Sequence, residues 1–188
     1  MGVYRGMSYR LVTSLAFVVG MNVPLAAHAS ESPPASEVPV GFSNFVGTWT
    51  LKNDEFRAVW DGETEEAMTI PNHITVCTSE TTASSVSCAV DGGGLTGQIF
   101  WVADDARQTL QHLSHFGETR RGVGTGSIAG DGSLTNRIVF SDEPDGTYRI
   151  YQYSWVTPDE YIMMSRQYGA DDTPTGNWYG GTFVRVAD

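Results

Sequence analysis

From Gly41 onward, turn-forming clusters recur about every 8–12 residues, and this rhythm most constrains what the chain can fold into. The clusters are Asp91-Gly92-Gly93-Gly94, Asp104-Asp105, Gly130-Asp131-Gly132, Pro144-Asp145-Gly146, Thr157-Pro158-Asp159 and the longer Asp171-Asp172-Thr173-Pro174-Thr175-Gly176-Asn177. Between them lie runs rich in valine, isoleucine, threonine and aromatics, at 46–52, 74–80, 85–90, 98–103, 108–114, 122–128, 134–141, 147–156, 160–168 and 178–186. The run at 56–60 suits either another strand or a short helix. No long periodic helix and no internal repeat interrupts the series, so the expected class is all-β, an antiparallel meander. Open sheet edges expose unpaired backbone groups, so the meander is expected to close into an up-and-down β-barrel of about 8–10 strands.

The first 29 residues stand apart from this pattern. Arg5 and Arg10 precede a largely apolar stretch (11–26), and Ala27-His28-Ala29 offers a small-x-small cleavage site, the layout of a secretory signal peptide. A membrane anchor is the alternative, but the run falls short of the ~20 residues a spanning helix needs and Gly20, Asn22 and Pro24 interrupt it. Residues 30–40, with Pro33, Pro34 and Pro39, read as a flexible leader, and 41–188 as one barrel domain. The expected location is therefore periplasmic or secreted, without stable membrane insertion after cleavage. No cysteine follows the cleavage site to carry a lipid.

After cleavage nine basic residues would face 22 acidic ones, a net charge of −13. That excludes the clustered positive charge on which nucleic-acid binding depends, and it disfavours anionic membrane surfaces. Only Lys52 among those cations is a lysine. Arginine tolerates burial and binds carboxylates in a fork, so the bias hints at inward-facing arginines. Cys77 and Cys88 would lie opposite one another on a hairpin if 81–84 form its turn, within bridging range in an oxidising compartment. Closing so short a loop contributes roughly 3 kcal/mol. Two cysteines alone are too few ligands for a metal site.

Asn44-Phe45-Val46-Gly47-Thr48-Trp49 at the start and Thr182-Phe183-Val184-Arg185 at the end carry a family resemblance. The Gly-x-Trp opening resembles that of the calycin superfamily, which comprises lipocalins, fatty-acid-binding proteins and lipocalin-like relatives. In those barrels an arginine near the last strand packs over the tryptophan of the first. The resemblance implies a closed barrel with Gly47, Trp49 and Arg185 at the closure, and a lumen that takes a ligand. The export signal suits exported bacterial, lipocalin-like barrels better than the cytosolic fatty-acid-binding branch.

Strand side chains alternate between faces, which divides the late strands into two sets each. Arg149, Tyr151, Tyr153 and Trp155 share one face, and Ile162, Met164, Arg166 and Tyr168 share another. If Arg185 lies beside Trp49, Tyr179 and Phe183 point inward with it. Arg149 with Tyr151 resembles the carboxylate clamp of fatty-acid-binding proteins, where a guanidinium and a phenol fix an acid in a dry barrel. Aromatic walls would hold the apolar part. The candidate ligand-binding residues are thus Arg149, Tyr151, Tyr153, Trp155, Arg166, Tyr179 and Phe183. The alternative places the tyrosines on the outer face, with Arg149 paired to Glu160 across the 157–159 turn.

His112 and His115 fall on opposite faces if both lie on a strand, although a metal could be bound if His115 lies in the following turn; with His73 they offer too few strong ligands for a metal or haem site to be expected. Gly122-Val123-Gly124-Thr125-Gly126 lacks the lysine and helix of a phosphate loop and suits a sharp bend or close packing. No Gly-x-Ser-x-Gly nucleophile elbow occurs. The expected function is an exported lipocalin-like protein that binds a small hydrophobic or amphipathic molecule in its lumen, with or without a carboxylate on it, and without a cofactor. An isomerase, cyclase or hydratase on the same barrel, using His112, Glu118 or Tyr151, is the alternative. A non-catalytic envelope scaffold is the third reading.

Overall fold

A computed structural model describes residues 42–79, 84–104 and 106–187. The expected signal peptide (1–29), the leader (30–40), Gly41, residues 81–83 of the expected hairpin turn and Asp105 lie outside the described residues. The strands are β1 (Gly47–Leu51), β2 (Glu55–Val59), β3 (Glu65–Thr69), β4 (Ile74–Ser79), β5 (Ser85–Gly92), β6 (Leu95–Asp104), β7 (Thr109–Phe116), β8 (Arg120–Ile128), β9 (Leu134–Phe140), β10 (Tyr148–Thr157), β11 (Glu160–Tyr168) and β12 (Pro174–Arg185). They form one antiparallel sheet that runs β1-β4-β5 through to β12 and then β2-β3, and β1 pairs with β12 to close it.

The unusual order has a simple origin. β1 and β2 are two halves of one long strand broken by the 3₁₀ turn Lys52–Asp54, and β3 and β4 are the halves of its hairpin partner. Trp49 faces Thr75 and Glu55 faces Thr69, so the antiparallel register runs unbroken across the interruption. β12 pairs with both halves, placing Arg185 opposite Trp49 and Trp178 opposite Val59. Eleven residues (49–59) thus lie beside eight on β12 (178–185), and the excess is taken up by the turn, where Asn53 and Asp54 adopt φ of 58° and 56°. Asparagine and aspartate enter this left-handed region more readily than other side chains. The result is an up-and-down barrel of ten long strands.

Of residues 56–60, ambiguous in sequence, 56–59 belong to β2 and Trp60 directly follows it. β3 carries no strand signal, because Glu65-Glu66-Ala67-Met68-Thr69 is charged and mostly exposed and is held by pairing to β2. β12 begins at Pro174, inside the cluster expected to be turn.

Alternation sorts the rest of the wall. On β9 Leu134, Asn136, Ile138 and Phe140 are buried while Thr135, Arg137 and Val139 are exposed. Gly122, Gly124 and Gly126 of β8 face inward, and a Cβ at any of them would run into atoms of the neighbouring strands. Their absence of side chains lets β7 and β9 pack across β8 and makes room for large rings from opposite walls.

One end of the barrel is plugged. The 3₁₀ turn Phe42–Phe45 drops Phe45 against Trp101, Tyr153, Trp155 and Tyr161, with ring centroids 4.7–5.8 Å apart. Trp49, fully buried, donates its indole N–H to the Phe45 carbonyl at 2.8 Å. The Arg185 guanidinium lies 4.2 Å from the centre of the Trp49 ring and donates to the carbonyls of Val46 (2.8 Å) and Asn44 (3.0 Å). Cation–π attraction and satisfied carbonyls thus tie the last strand to the entry of the first. Gly47, at φ 135°, lies where any side chain would strike that guanidinium.

Candidate functional site

Away from the plug the inward residues leave a cavity of about 720 Å³. Its floor is the outer surface of the plug: Trp101, Tyr153, Tyr161, Met163 and Phe183. One wall is apolar, with Val90, Ile99, Phe116 and the Cys77–Cys88 disulfide. The two cysteines are directly opposed on β4 and β5, with Cα atoms 4.0 Å apart, and both are buried on the inward face. Trp60, Met68, Ile70 and Leu95 surround the opposite end, where Trp60 and Leu95 are about half exposed. His73 also lines the cavity, its ring edge-on to Phe183 at 5.4 Å, and burial pushes its pKa below the usual imidazole value.

A charged corner faces this apolar space. Glu143, from the connection between β9 and β10, reaches inward and is largely buried. Its Oε1 accepts from Arg120 Nη2 (2.9 Å) and Arg149 Nε (2.5 Å), and its Oε2 accepts from Gln167 Nε2 (3.0 Å). Burial works to raise the Glu143 pKa, but Arg149, Gln167 and Arg120 outweigh it and hold the carboxyl below its ordinary range. Arg149 also reaches Ser165 Oγ at 3.5 Å and lies 4.7 Å from the centre of the Tyr179 ring. Arg120 packs on Phe140, 3.8 Å from its ring centre, and makes a second ion pair with Asp142 at the rim. The hydroxyls of Tyr151 and Tyr179 hydrogen-bond to each other, and burial drives the Tyr151 pKa well upward, so it is a neutral phenol.

Arg149, Tyr151, Tyr153, Tyr179 and Phe183 all line the cavity. Arg149 pairs with Glu143 rather than Glu160, which instead binds Lys52 at 2.9 Å. Trp155 shares their face but belongs to the plug: it lies beyond the floor against Phe45 and Trp49 and donates to the Gly132 carbonyl at 3.1 Å. Arg166 is corrected outright. Alternation on β11 turns Tyr161, Met163, Ser165 and Gln167 inward, which leaves Arg166 exposed on the outer face, bonded to Gln152 Oε1 at 3.0 Å.

Of the three acid–base candidates, only Tyr151 meets the cavity. Glu118 is exposed in the turn after β7. His112 is buried beneath the floor, its Nδ1 accepting from Trp101 Nε1 at 2.8 Å, and burial lowers its pKa to about 4. His112 and His115 fall on opposite faces of β7, and no three metal-ligating side chains converge among the described residues.

Sequence reasoning missed Arg120, Glu143 and His73 as cavity residues. Arg120 begins a strand expected to start two residues later, and Glu143 lies in a turn cluster where no periodicity applies. The one available signal was electrostatic: an inward arginine on β10 needs a nearby counter-ion, and Glu143 lies in the turn that leads into that strand.

The fold and cavity together define a closed ten-strand antiparallel β-barrel with a mostly apolar lumen. The sequence matches no protein-family model and no curated protein. Among solved structures it is similar to EF1p2_mFAP2b bound to DFHBI, at 13% identity over 76% of this chain and 94% of that one, with a TM-score of 0.35. It is also similar to a protein of unknown function from the DUF3598 family of Nostoc punctiforme, at 10% identity over 77% of this chain and 97% of that one, with a TM-score of 0.20. Superpositions that loose carry no argument about ligand or activity. No helix among the described residues is long and apolar enough to cross a membrane.

Proposed function

We propose that the protein binds one small, mostly apolar molecule in the lumen of its barrel, with the polar end of that molecule at the Arg149–Tyr151–Tyr179 corner. The observation that carries this reading is the cavity of about 720 Å³, which falls within the roughly 300–1,000 Å³ of small-molecule sites and combines apolar walls with a few polar groups at one place. Tyr153 and Phe183 supply the surface on which the apolar body rests. The chain acts as an exported protein, released from residues 1–29 and comprising one barrel domain over 41–188. Its disulfide suits an oxidising compartment. An enzyme on the same barrel has less support, because His112 and Glu118 stand away from the cavity and Tyr151 is held as a phenol.

Titration of the purified protein with dansyl-undecanoate, paired with native mass spectrometry, tests the reading. The expected result is saturable binding of one probe per barrel, displaced by unlabelled apolar competitors. Absence of saturable binding, or enhanced probe fluorescence that no competitor removes, contradicts it.

A further inference from the structure

We propose that Glu143 is a built-in occupant of a carboxylate site, and that an amphipathic acid binds by displacing this side chain from Arg120 and Arg149. The inference rests on the lumen-binding reading above and narrows it to one ligand class, an apolar body ending in a single carboxylate.

Both oxygens of Glu143 are engaged, by two guanidinium groups and one amide. Such charge-assisted donors recognise a carboxylate whatever carries it. The set is aimed into the cavity, since Arg120, Glu143 and Arg149 all line it. Of the two guanidiniums, Arg149 is nearly fully buried, and among the described residues its one carboxylate partner is Glu143. An unpaired guanidinium in that position is strongly unfavourable, so nothing but another anion can take the place of Glu143. Esters, alcohols and amides of the same shape do not meet that requirement.

The carrier of Glu143 is suited to exchange. Arg120, Arg149 and Gln167 stand on strands fixed by their ladders, whereas Glu143 stands on the 141–147 connection. That connection is rooted by Ser141, whose N–H donates to the Arg121 carbonyl (2.9 Å) and whose hydroxyl donates to the Thr119 carbonyl (2.8 Å). Its far side turns on itself, Thr147 N–H donating to the Pro144 carbonyl at 3.0 Å. Between these points the Glu143 N–H donates to the Phe140 carbonyl of β9 at 3.4 Å, and the side-chain hydrogen bonds to the barrel wall run from Asp142 and Glu143 to Arg120, Arg149 and Gln167. An incoming carboxylate replaces the bonds of Glu143 in kind, and the displaced side chain swings to solvent on its own loop.

The test compares dansyl-undecanoate with its methyl ester on the wild type and on Glu143→Ala. Removal of the internal competitor is expected to tighten binding of the acid about tenfold or more, with the ester changed less than about threefold. In parallel, acetate is expected to raise the melting temperature of Glu143→Ala, while equal concentrations of chloride or acetamide do not. Should the variant fail to fold in buffer, acetate must restore its fold. Failure of acetate to do better than chloride overturns the proposal, as does a parallel shift of acid and ester. Binding of neither probe to either protein removes the lumen reading itself, whereas binding of both without acid selectivity removes only the displacement.

Discussion

The two ends of this barrel obey the same inward–outward alternation and reach opposite outcomes. At the plugged end, Phe45, Trp49, Trp155 and Tyr161 meet ring to ring, and Arg185 caps them from the rim with its charge on backbone carbonyls. At the other end smaller side chains such as Thr75, Val90 and the disulfide line the wall, and about 720 Å³ stays unfilled. The arginines there face inward and are balanced by a carboxylate delivered from a turn. Pattern decides which side chains enter a barrel, and side-chain volume together with whatever reaches in from outside decides whether a cavity remains.

The contrast can be broken first at the plug. Trp49→Ala is expected to cost about 3–5 kcal/mol in urea unfolding, because the ring is fully buried and its neighbours cannot collapse around the loss. His112, beneath the cavity floor, gives the next effect. Its folded pKa of about 4 lies below the ordinary imidazole value of 6.5, so below pH 6.5 the unfolded chain takes up a proton that the folded one refuses. Stability is complete above pH 6.5 and falls by about 3 kcal/mol as pH drops to 4, where the loss levels off. Denaturant midpoints measured across that range check the slope, and His112→Gln should flatten it. Reduction of the Cys77–Cys88 bridge should cost about 3 kcal/mol or slightly less, given its separation of 11 residues. Arg166→Ala, on the outer face, should change stability by less than about 0.5 kcal/mol and leave probe binding unaltered. A loss of binding in that variant would place the site on the wrong face of β11.

Much of the barrel is legible in the sequence, for a physical reason. Turn chemistry is local, so Gly130-Asp131-Gly132 and Thr157-Pro158-Asp159 mark where strands reverse without reference to anything distant. Period-two alternation likewise carries Tyr151, Tyr153, Tyr179 and Phe183 to one side of the wall once Trp49 sets which side is inward. What the sequence does not display depends on partners far along the chain. β3 exists because β2 lies beside it, and its glutamates favour no strand of their own accord. Trp155 is inward yet outside the cavity because Phe45 enters from a separate segment. Glu143 acquires its place only when β8, β10 and β11 bring Arg120, Arg149 and Gln167 around it.

The central claim is that the unplugged half of the barrel holds a ligand-sized space reached by small apolar molecules. Substitution of Ile99 by tryptophan tests it directly, because Ile99 lines the cavity, is only partly buried and stands away from the charged corner. Dansyl-undecanoate titration of Ile99→Trp should lose the single saturable site while the protein keeps its fold, with Arg166→Ala as the control that retains it. Undiminished binding by a folded Ile99→Trp barrel would contradict the account.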